Sequence, residues 1–188
     1  MGVPSGYTSA QVVQAVPTGI NSALVCVKAE TTASAVSSAT ADNVFTSTYT
    51  NYLITFKWST SSTNALQIKF RAGGTSTSTN YNRQIFGAGQ TTVVAAQLTS
   101  QTQFALQDTN GATQFAYSTM QLSSPQLATK TLFTNTVINN ITNYTTGLET
   151  FFYSGNQNSD TQFDGIEFLT PTGTITITYA IYGYSKTV

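Results

Sequence analysis

Apolar and polar side chains alternate with a period of two along much of this chain, the pattern of strands with one buried and one solvated face. In Tyr52-Leu53-Ile54-Thr55-Phe56-Lys57-Trp58, the residues Tyr52, Ile54, Phe56 and Trp58 share one face. In Leu66-Gln67-Ile68-Lys69-Phe70-Arg71, Leu66, Ile68 and Phe70 turn inward while Gln67, Lys69 and Arg71 turn outward. The polar link Ser59 to Asn64 has a length that suits a hairpin, so the pattern predicts two antiparallel neighbours. Phe104-Ala105-Leu106 and Phe115-Ala116-Tyr117 flank Asn110-Gly111, a pair that supplies the positive φ angles of a tight turn, and a second hairpin is predicted there. Near the end, Thr170-Pro171-Thr172-Gly173 reads as a type I turn. The strand after it places Ile175, Ile177, Tyr179 and Ile181 on one face, and its expected partner is Gly165 to Leu169.

Weaker strand signals fall near 11–16, 22–28, 83–87, 91–98, 127–133 and 148–153, and no segment has a helical period. Many short strands separated by turn signals predict an all-β fold: an antiparallel β-sandwich, jelly-roll-like, in a single domain. The domain is expected to span 21–188. Residues 1–20, less patterned and holding Pro4, Gly6, Pro17 and Gly19, are expected to form an N-terminal arm or attachment segment.

Composition sharpens this picture. Ser, Thr, Asn and Gln make up 82 of 188 residues, against seven basic and seven acidic ones and no His. Eleven Phe, ten Tyr and one Trp argue against disorder. A neutral, hydroxyl-rich surface favours association over repulsion between copies. The charge is unevenly placed, with five basic and two acidic groups in 1–94 and two basic and five acidic in 95–188. Seven scattered Lys and Arg make no basic stripe, so nucleic acid is not an expected partner. No apolar run approaches the length of a membrane-spanning helix, and no membrane insertion is expected. The start, Met-Gly-Val-Pro-Ser-Gly, lacks a basic region followed by an apolar one, so no secretory leader is expected. Cys26, the single cysteine, lies in Ala23-Leu24-Val25-Cys26-Val27 and is expected to be a buried, inert thiol.

The run Asp42-Asn43-Val44-Phe45-Thr46-Ser47-Thr48-Tyr49-Thr50-Asn51-Tyr52-Leu53-Ile54, preceded by the apolar strand Leu24-Val25-Cys26-Val27 and followed at the end of the chain by Ile181-Tyr182-Gly183-Tyr184, resembles small bacteriophage virion proteins of the tail-fibre-like or capsid decoration kind. The likeness spans about residues 23–184, and its motifs lie at the two ends. It implies a non-enzymatic virion structural protein, assembled in the host cytoplasm and acting as a tail fibre or host-adhesion component. A capsid decoration (cement) protein that stabilises the head is the alternative. It also implies a homo-oligomer, commonly a trimer, with other virion proteins as partners and a host-surface glycan as a further candidate. Independently of the resemblance, Phe45, Tyr49 and Tyr52 are placed to form an aromatic cluster where a strand enters its sheet.

Chemistry is scarce. Without His, the Ser-His-Asp and Cys-His arrangements and His-metal sites are excluded. Gly73-Gly74 lacks the Lys-Ser/Thr of a phosphate loop, and no cofactor is indicated. Asp160, Asp164 and Glu167 form the best acidic group. As a carboxylate pair they would serve a glycan-degrading depolymerase, the least favoured reading. As oxygen ligands, Asp160 and Asp164 would suit Ca²⁺, and as solvated charges they would do neither. Asp164 and Glu167 point to opposite faces of an extended strand unless a turn intervenes at Gly165. Lys69 and Arg71 share a strand face that Arg83 is a candidate to join, and Tyr81 lies between Asn80 and Asn82. These four are the candidate contacts for a glycan or a partner, with a solvated face or an interface as the competing readings.

Overall fold

The computed structural model describes residues 23–89, 92–110, 114–141 and 147–186. The expected N-terminal arm (1–20) and the strand expected near 11–16 lie outside them. In chain order the strands are β1 (Leu24–Val36), β2 (Ser38–Ala41), β3 (Asn51–Thr60), β4 (Thr63–Ala72), β5 (Thr75–Ser76), β6 (Tyr81–Gly89) and β7 (Thr92–Gln101). There follow β8 (Phe104–Asn110), β9 (Ala116–Ser123), β10 (Thr131–Ile141), β11 (Gly147–Gln157), β12 (Gly165–Leu169) and β13 (Ile175–Tyr184). Among the described residues there is no helix.

The strands form two antiparallel sheets, as the alternation predicts. The larger has eight strands in the order β1-β13-β3-β9-β10-β11-β6-β7, and the smaller has β2-β12-β4-β5 with β8 also on β4. They pack face to face as a β-sandwich over one core, with Tyr52, Ile54, Phe56 and Trp58 from β3 and Ile175, Ile177 and Ile181 from β13 on one side. Leu66, Ile68 and Phe70 from β4 and Ile166 and Phe168 from β12 lie on the other. Rings bridge the layers: Phe56 lies 5.3 Å from Phe168, Phe168 5.2 Å from Tyr179, and Phe104 4.4 Å from Phe133.

The inward faces match the alternation, but the pairing does not. β3 and β4 are not hairpin neighbours: β3 pairs with β13 and β9, and β4 with β12, β5 and β8. Likewise β8 joins β4 in the small sheet while β9 joins β3 and β10 in the large one, so the two runs that flank Asn110-Gly111 lie in different sheets. β12 pairs with β2 and β4, whereas β13 pairs with β1 and β3. The cause is common to all three. Two alternating runs joined by a turn bury their apolar faces equally well side by side or across the sandwich, so the local pattern carries no signal for the choice. The strand expected at 127–133 is β10, which begins at Thr131 and runs to Ile141. β11 runs on through Gly155 to Gln157.

Cys26 is exposed, contrary to expectation. β1 is the outermost strand of its sheet, with Leu24 and Val25 also exposed, so its apolar run lies at the margin of the core.

A candidate interaction surface

The residues singled out by sequence separate in space. Lys69 and Arg71 do share the outer face of β4, and both are engaged. The Arg71 guanidinium donates from Nε to Asp42 Oδ1 at 2.6 Å, from Nη1 to Ser76 Oγ at 2.8 Å, and from Nη2 to the Gly74 carbonyl. Lys69 Nζ donates to Ser78 Oγ at 3.1 Å. Asp164 Oδ2 accepts the Gly73 N–H at 3.0 Å, and Glu167 Oε2 accepts from Ser76 Oγ at 2.6 Å. Asp164 and Glu167 therefore both serve the network that ties the β4–β5 turn to the β2–β12 end of the small sheet. Gly73 and Gly74 make that turn at φ +55° and +78°, backbone angles that a side chain would oppose. Asp160 stays exposed on the loop after β11. Among the described residues no three His, Cys, Asp or Glu side chains gather as a metal site. A partly exposed ion pair such as Arg71–Asp42 contributes at most about 1 kcal/mol, so this network orders a turn more than it stabilises the fold.

Tyr81 is a core residue. It is 1% exposed, its ring lies 5.9 Å from Phe70, and it is closed off from any sugar. Its hydroxyl accepts the Phe70 N–H at 2.7 Å and donates to the Thr77 carbonyl at 3.3 Å. Arg83 does not join Lys69 and Arg71. It lies on the inner face of β6, opposite Gly155 of β11, in the other sheet. Burial holds its guanidinium below its ordinary pKa, against the opposing influence of Tyr153, and Nε has no hydrogen-bond partner. Two of the four candidate contacts are thus turned into the sandwich. The alternation of β6 extends back to Tyr81, and a strand residue of that parity faces the core.

The expected aromatic cluster forms. The Phe45 and Tyr49 rings lie 4.9 and 5.9 Å from Tyr52, edge to face. The Tyr52 hydroxyl accepts the Thr46 N–H at 2.7 Å and donates to the Thr46 carbonyl at 3.0 Å, closing the loop that leads into β3. Gly183 pairs with Tyr52 across the sheet, and a Cβ there would lie 2.4 Å from Cγ of Tyr49. The Phe-x-x-x-Tyr and Tyr-Gly-Tyr segments, distant in sequence, therefore meet at one corner, where only glycine leaves room for the Tyr49 ring. Tyr52→Phe removes both bonds to Thr46 at a cost of about 1–3 kcal/mol. The expected result is a urea midpoint lowered with an unchanged slope; a loss below about 0.5 kcal/mol, the range of a neutral surface change, would show that the corner is not held this way.

One further surface is not among the residues singled out by sequence. The outer face of the large sheet over β10, β11 and β6 is uncharged and carries exposed apolar side chains among polar ones. Phe86 of β6 and Phe152 of β11 are direct neighbours and 61% and 51% exposed. Leu132, Ile138 and Leu148 add to the exposed apolar surface on β10 and β11. Between them lie Gln84, Thr134, Thr136 and Ser154, which with Phe86 and Phe152 line a shallow groove. Lys57, over the Phe115 ring at 4.2 Å, marks where charge resumes toward β3. The two exposed phenylalanines, side by side on adjacent strands, alone leave roughly 200 Å² of side chain in water. A signal existed in the sequence: Phe151-Phe152-Tyr153 is apolar at both parities, as in a strand covered on both faces. No family model, no curated protein and no solved structure matches the chain.

Proposed function

We propose that the chain is a virion structural subunit of a bacteriophage, a tail-fibre or host-adhesion component that assembles with copies of itself and with other virion proteins through its sheet surfaces. The phage setting rests on the resemblance of the Asp42–Ile54 and Ile181–Tyr184 segments. The assembling role is carried by one observation, the uncharged outer face around Phe86 and Phe152. Burying hydroxyls, amides and rings against a neighbour requires little stripping of water from ions, so such a face docks at low desolvation cost. Aromatic residues are the side chains enriched at interface cores.

The purified protein is expected to elute as an oligomer in size-exclusion chromatography with light scattering. A stable monomer at high micromolar concentration would remove the reading. Copy number per particle separates its two forms: a few to a few tens of copies identify a fibre or spike, and hundreds a head decoration.

A further inference from the structure

The eight-stranded sheet ends in two edges of different character. β1 carries Lys28 and Glu30, its pairing with β13 is interrupted by register shifts at Cys26/Lys28, Lys28/Thr31 and Ala33/Val36, and Ala35 has φ +52°. Charges and bulges are the devices by which proteins keep an edge from adding a foreign strand. β7 has none of them over its central run. Thr92-Val93-Val94-Ala95-Ala96-Gln97-Leu98 contains no charge and no proline, and pairs with β6 without interruption from Gly89↔Thr92 to Arg83↔Leu98. The small sheet does not cover β7, and Thr92 to Gln97 are exposed on both faces of the strand, Val93 at 68%. A long, regular, uncharged edge of this kind is a template for pairing with another strand.

We infer that β7 is the docking edge for β7 of a second copy, the two strands pairing antiparallel about a twofold axis so that two eight-stranded sheets become one. The inference rests on the assembling role proposed above and names its contact. A second copy is the occupant that the chemistry favours. Twofold pairing sets one strand against its own sequence, which requires a segment that is complementary to itself. Any charge on it would meet a like charge nearby, and there is none. Val93 and Ala95 lie on one face, Val94 and Ala96 on the other, so apolar side chains meet apolar ones on both sides of the joined sheet. Joining also brings the Phe86–Phe152 faces onto one surface.

The test uses the full chain and light scattering. The wild type is expected at an even multiple of the protomer mass. Val93→Lys/Ala95→Lys, both at exposed positions, is expected to halve that mass with an unchanged circular dichroism spectrum. Ser34→Lys, at an exposed position on the β1 edge, is expected to leave the mass unaltered. Hydrogen exchange on the wild type is a readout independent of any variant: the amides of 93–97 are expected to be protected at high concentration and to exchange on dilution. An oligomer whose mass the β7 variant does not change, or whose β7 amides exchange at all concentrations, would overturn the inference and leave the assembling role standing. A trimer that β7 variants dissociate would overturn the twofold. A monomeric wild type at high micromolar concentration would overturn both the inference and the role it rests on.

Discussion

Phe70→Ala is expected to destabilise the fold by about 3–5 kcal/mol, the cost of removing a large ring from a packed interior. Phe70 has no exposed surface and lies 5.9 Å from Tyr81, 6.1 Å from Phe133 and 5.4 Å from Phe163. Those partners belong to β6, to β10 and to the loop before β12, so one ring joins both sheets and a loop. Its backbone N–H also holds the Tyr81 hydroxyl at 2.7 Å. Truncation leaves a void that strands cannot close without breaking register, and forfeits ring pairings of about 0.5–1.5 kcal/mol each. For a chain of this size the melting temperature should fall by about 6–20 °C. Differential scanning calorimetry on the variant and on Phe115→Ala, an exposed ring in the same protein, measures it. Equal effects at the two sites would show that the Phe70 cluster is not the centre of the core.

Stability should be level from about pH 6 to 9 and fall steeply above about pH 10, the ordinary pKa of tyrosine. With no His, no side chain of the usual mid-range switch is present. Three tyrosine hydroxyls have raised pKa values. At Tyr81 burial is the main cause, aided by the charge of Glu167 and opposed by the Phe70 N–H. At Tyr52 burial outweighs the bonds to Thr46. At Tyr179 burial acts together with the charge of Asp42. A group whose folded pKa is raised binds its proton more tightly in the native state. Its stabilisation is therefore complete below the unfolded pKa and is lost as pH rises through the folded one. All three act in the same direction. Chemical unfolding across this range, followed together with tyrosinate absorbance, should show ionisation and loss of the fold as one transition. Tyr81→Phe should blunt the alkaline decline while lowering stability at neutral pH. Tyrosines that ionise in the ordinary range with no change in unfolding free energy would contradict this account.

The four candidate contacts show how far local pattern reaches. Lys69 and Arg71 were legible as outward residues because parity within β4 is a local property. Tyr81 was not, because its strand begins earlier than the weak signal at 83–87 suggested, and Arg83 was not, because Ile85 and Phe86 beyond it are apolar at both parities. The Phe45–Tyr49–Tyr52 corner was legible because its members lie within eight residues. That Gly183 completes it was not, since the two segments are 131 residues apart at Gly183 and Tyr52.

From its order of side chains alone, this chain determined that it is all-β and which residues of its clearest strands face the core. Both follow from two-residue periodicity, which each strand carries within itself. Which strands pair, why Cys26 is exposed, and why Phe86, Phe152 and the β7 edge are left uncovered were decided only in three dimensions. The physical reason is that an apolar face is satisfied by any opposing apolar face. The choice among them belongs to the whole sandwich, and so does the mismatch between eight strands and five that leaves one end of the larger sheet bare.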